Sequence, residues 1–120
     1  MKARTYKNNI KENMIKLETY KPEFEKTITT LAKIYENYDE AMEQFEKSGG
    51  MFLVMKMKKD GSVETAKNPL YRIIEEMEER ILSYNRELGL TPSGYKKIMN
   101  KFPKKEKKSG LAAALESLGG

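Results

Sequence analysis

The sequence has 120 residues, 38% of them apolar and 34% charged, with a mean hydropathy of −0.75; that allows one small domain with a lean core and predicts self-association. Without cysteine or histidine it cannot build a disulfide framework, a zinc site of the usual ligand types or an imidazole-activated nucleophile, so most enzyme classes fall away. The formal charge of +5 is concentrated at the two ends, and no apolar run approaches the ~20 residues of a membrane span or a secretory leader, which predicts a soluble intracellular protein.

Residues 1–17 carry Lys2, Arg4, Lys7, Lys11 and Lys16 against Glu12, a local +4. Ile10, Met14 and Leu17 recur at helical spacing and predict a short helix from about Lys7 to Thr19, before the Lys21-Pro22 boundary. From Phe24 onward, Ile28, Leu31, Tyr35, Tyr38, Met42 and Phe45 follow at alternating steps of 4 and 3. That period of 3.5 residues draws one apolar seam along a long helix. Pro22 suits its first turn and Gly49 the position past its end. Met51 to Ala66 shows no helical period, and Asp60-Gly61 predicts a β-hairpin closed by a two-residue turn with positive φ at both central positions. Its first arm is more apolar than a solvated ribbon should be, which predicts packing on the helices or on a neighbouring subunit.

A second seam, Leu70, Ile74, Met77, Ile81, Tyr84 and Leu88, predicts a helix over 69–88, with Asn68 as cap, Pro69 in the first turn and Gly89 past the end. Glu75, Glu76, Glu78 and Glu79 form its solvated side; neighbouring positions diverge by ~100° and do not converge on a metal ion. Thr91-Pro92 opens a last short helix, with Tyr95, Ile98, Met99 and Phe102 on its inner face and Lys96, Lys97, Asn100 and Lys101 pointing away. Residues 96–108 carry a local +6, whereas 18–95 carry −4. Lys104 to Gly110 have nothing to bury and read as a disordered linker. Beyond it Leu111, Leu115 and Leu118 line a helix too short to stand alone, a segment that waits for a partner.

The chain thus divides into a basic helical segment (1–20), a helical oligomerisation core with a β-hairpin near 51–66 (21–102), and a flexible basic linker with a Leu-rich tail (103–120). The expected fold is mainly α: a long antiparallel helical hairpin with an inserted short β-hairpin and short flanking helices. The seam residues Phe24, Ile28, Leu31, Tyr35, Tyr38, Met42 and Phe45 are the candidates for packing copies together. A polyanion should meet the basic ends, through Arg4, Lys7 and Lys11 or through Lys96, Lys97 and Lys101. Tyr6 and Tyr95, beside lysines, are the candidates for stacking on bases, and the seam aromatics are assigned to packing.

Asn68-Pro69-Leu70, the amphipathic helix after it, and Arg86-Glu87-Leu88-Gly89-Leu90-Thr91-Pro92-Ser93 with basic residues just beyond resemble the terminase small subunit of tailed bacteriophages, best over about residues 45–98. The resemblance implies a non-enzymatic protein without cofactor that assembles into a homo-oligomeric ring in the cytoplasm of the infected host. It implies binding of double-stranded viral DNA and transfer of that DNA to the terminase large subunit, which carries the ATPase and nuclease. It also assigns the Leu111, Leu115 and Leu118 tail to the packaging machinery. Lys97 matches a basic site after the Thr-Pro-Ser cap, while Tyr95 stands where another basic residue is expected and Gly94 where a small polar one is. The rival readings are a helical DNA-binding regulator or antitoxin-like dimer, and an interaction scaffold whose lysines only keep it soluble.

Overall fold

The computed structural model describes residues 1–102. Its frame is an antiparallel pair of long helices, α2 (Glu25–Lys47, entered through a 3-10 turn at Pro22–Phe24) and α3 (Pro69–Glu87). The direction is fixed by contacts along their length: Phe45 lies 5.6 Å from the Tyr71 ring, Tyr38 hydroxyl donates to Glu78, and Asn85 Nδ2 donates to Tyr35 hydroxyl. A third helix, α1 (Ala3–Lys16), lies against α2, and α4 (Pro92–Lys101) packs at the C-terminal end of α3.

Both seams are used within the chain. Ile28 and Leu31 are fully buried with Ala32 against Ile10 and Met14 of α1 and against Leu88, and Phe24, Tyr35, Ile81 and Tyr84 close around them. Farther along, Phe45 and Ala41 meet Ile74, with Tyr38, Met42 and Met77 at the margin. Met14, Ile28, Leu31 and Leu88 exclude water completely, each worth about 1.5–3 kcal/mol of transfer free energy. The third helix is what lets the first seam close without a second copy of the chain.

α1 starts four residues earlier and ends three residues earlier than its apolar spacing predicts. The start is extended by tertiary contacts: the Ala3 amide donates to Glu36 Oε2 and the Tyr6 ring stacks on Tyr35 at 4.8 Å. The end is set by Glu18, which takes a left-handed conformation (φ 60°) and lets the Glu18 and Thr19 amides donate back to the Ile15 and Met14 carbonyls. This is the Schellman closure, here built on a residue other than glycine.

The connection between α2 and α3 is a two-stranded antiparallel hairpin, β1 (Leu53–Met57) and β2 (Val63–Lys67), registered Leu53 to Lys67 and Met57 to Val63. Its turn corrects the sequence expectation. Gly61 alone has positive φ (85°), and its amide donates to the Lys58 carbonyl while the Lys58 amide donates to that of Ser62. The loop is therefore a type I turn followed by a left-handed glycine, the three-residue hairpin pattern. Asp60 contributes through its side chain: Oδ1 accepts from the Ser62 amide and hydroxyl, an Asx turn that holds Asp60 at ordinary φ.

The hairpin does not fold back on the helices. It is anchored at its base by Phe52, which packs 4.8 Å from Tyr71 and 6.1 Å from Phe45, and by Asn68, whose amide and side chain donate to the Phe52 and Met51 carbonyls. The result is a rod of 86 × 25 × 22 Å, with α1 and α4 at one end and the ribbon projecting from the other.

Candidate nucleic-acid interface

The structure treats the two basic ends differently. On α1, Lys11 Nζ and the Tyr20 hydroxyl donate to Glu25 Oε1 at 2.8 and 2.6 Å, and Lys7 Nζ lies 3.5 Å from Glu25 Oε2. Lys11 also sits 5.0 Å over the Tyr20 ring. The Lys11 and Tyr20 hydrogen bonds hold the Glu25 carboxyl down at about 2. Lys7 and Lys11 are thus committed to docking α1 on the start of α2. Tyr6 is committed as well: beyond its stack on Tyr35, its hydroxyl donates to Asp39 at 2.6 Å, which pushes its ionisation up to about 12. Of the N-terminal candidates, Arg4 is exposed and forms no ion pair among the described residues.

A pH dependence follows. Because the folded Glu25 carboxyl is depressed, its contribution to stability is present above the ordinary value of 4.5 and is lost as pH falls toward about 2. Urea midpoints measured across that window should fall for the wild type and lack this component in Glu25→Gln. Identical profiles for the two proteins would contradict the clamp.

α4 is positioned by its first turn. Thr91 Oγ1 accepts from the Gly94 amide at 3.1 Å, and Pro92 fills a position whose N–H would have no helical partner. Gly94 is buried directly against the backbone of Arg86, where a Cβ would lie 2.8 Å from the Arg86 carbonyl carbon and Cα. At the same junction Ile98 fills the space a side chain at Gly89 would need, 2.7 Å from its Cδ1. Farther on, Phe102 meets Phe24 edge-on at 6.4 Å.

These contacts turn one face of α4 outward, and Lys96, Lys97, Asn100 and Lys101 are all exposed, as the sequence predicts. Between α3 and α4 runs a cleft of about 350 Å³ lined by Phe24, Arg86, Lys97, Lys101 and Phe102. Lys21 and Lys101 lie over the Phe102 ring at 4.8 and 5.6 Å. Neither Arg86, Lys96, Lys97 nor Lys101 forms an ion pair among the described residues. Lys21, Arg86 and Phe102 were absent from the candidates read from the sequence. They join Lys97 and Lys101 only because the chain ends of α2 and α3 meet, although Lys21 before Pro22 and Phe102 before Pro103 each mark a helix boundary.

Chemically, the arrangement is a cluster of cations with a small aromatic floor and one carboxylate, Glu87, on the cleft wall. Such a surface suits phosphate groups. Among the described residues there is no group of side chains able to hold a metal ion, and no helix long and apolar enough to cross a membrane.

A family model described as the small subunit of phage terminase matches residues 3–105. The chain belongs to the phage terminase small-subunit family. Its work is therefore in phage DNA packaging, inside the infected host. The match takes in every described helix and strand, including the hairpin and the Gly94 crossing. Neither a curated protein nor a solved structure matches the chain. Leu111, Leu115 and Leu118, with the basic linker before them, lie outside the described residues.

Proposed function

We propose that this terminase small subunit binds duplex viral DNA through the α3–α4 end of the rod and presents it to the large ATPase and nuclease subunit, taking no catalytic part itself. The observation that carries the reading is the set of exposed, unpaired cations Arg86, Lys96, Lys97 and Lys101 on one rigid junction, set against the tied-up Lys7 and Lys11 on α1. Lysine contacts to phosphate fix register and supply affinity, and they read little base sequence. Self-association of the subunit repeats the junction, so that individually weak contacts sum to a firm hold. The Leu111, Leu115 and Leu118 segment is assigned to the large subunit in this reading. The test is titration of a fluorescent DNA duplex with the full chain in dilute salt. Saturable binding is expected, and no binding leaves the scaffold reading.

A further inference from the structure

Leu53, Met55 and Met57 of β1 alternate onto the same face of the hairpin as Val63 of β2. They are 55%, 76%, 74% and 53% exposed, so no part of the described chain covers that face. A two-stranded ribbon of this length is marginal in water by itself, and a methionine-rich apolar face is an adaptable contact surface. The ribbon's base, by contrast, is locked by Phe52, Asn68 and the Lys67–Glu75 ion pair. A rigid base under an uncovered ribbon makes an arm.

On the flank of the rod, Tyr35, Tyr38, Ile81, Leu82 and Leu90 line a mostly apolar groove of about 370 Å³ with Glu78 at its rim. Leu82 is 48% exposed there. The two surfaces are complementary in charge. On the hairpin, Lys59 at the turn forms no ion pair among the described residues, whereas Glu78 on the groove rim and Glu79 next to it are exposed.

We infer that the hairpin of one copy docks in the Tyr38–Leu82 groove of the next. The contact is heterologous, so each copy keeps one free hairpin and one free groove until a closed ring uses them all. It deepens the self-association in the functional reading by naming its surfaces, and it moves the contact from the α2 seam, which the chain's own core occupies, to side chains that are in water.

The test is sedimentation velocity on the full chain at micromolar concentration, with circular dichroism to establish that each variant is folded. The wild type should form a multiple of the 13.9 kDa chain, and Met55→Glu with Met57→Glu, or Leu82→Glu alone, should each sediment as one folded chain. Mixing the two variants should restore a particle of two chains, because one intact hairpin and one intact groove are present. A monomeric wild type overturns self-association altogether. A wild-type oligomer that either variant leaves unchanged overturns this contact alone, as does a mixture that stays monomeric. Duplex binding by the monomeric variants in dilute salt is read separately and reports on the DNA site.

Discussion

Replacing Lys97 and Lys101 together by glutamate is expected to lower the affinity for duplex DNA more than ~tenfold near physiological salt and leave the fold intact. Both side chains are exposed, and neither forms an ion pair among the described residues, so their removal breaks no internal salt link. Every phosphate deprived of its lysine also takes about 0.9 off the slope of log affinity against log salt, so the variant should show a slope shallower by roughly two such steps. Circular dichroism should match the wild type. If the double variant binds as the wild type does, the assignment of the contact to Lys97 and Lys101 is wrong.

Gly94→Ala is expected to be the most damaging small substitution at the α3–α4 junction. The added methyl would run into the Arg86 carbonyl group, and what it meets is backbone, which cannot rotate aside as a side chain would. α4 must shift away from α3, at a cost near the top of the usual overpacking range, about 2–3 kcal/mol. For a domain of this size that lowers the melting temperature by at least ~8 °C. DNA affinity should fall with it, because Lys97 and Lys101 ride on the displaced helix. A variant that melts with the wild type would show that the helices do not cross as closely as described.

The regular parts of this fold were legible because local chemistry and tertiary packing agree. The seam from Phe24 to Phe45, Asn68 before Pro69, and Thr91 before Pro92 each carry their own boundary signals, and α2, α3 and α4 fall where those signals put them. The short N-terminal helix was misplaced at both ends because its limits depend on distant partners: Glu36 and Tyr35 at the start, and a left-handed Glu18 that no propensity scale favours at the finish. The turn was misread for a related reason. Asp-Gly signals a tight reversal, and whether Asp60 supplies backbone or side chain to it is decided by Ser62.

The candidate site was half legible. Lys96, Lys97 and Lys101 announce themselves by helical spacing outside the stripe of Tyr95, Ile98, Met99 and Phe102. Nothing in the linear charge pattern distinguishes them from Lys7 and Lys11, since the carboxylate that neutralises the latter, Glu25, stands on another helix. Lys21 and Arg86 reach the cleft by the converse route, brought in by folding from regions that are acidic on average.

The account stands on phosphate recognition by the α4 end of the rod, and the salt slope of duplex binding tests it most directly. Affinity measured across a series of salt concentrations should fall steeply and linearly on logarithmic axes for the wild type, and distinctly less steeply once Lys97 and Lys101 are reversed. A flat line for the wild type, or equal slopes for the two proteins, would contradict it.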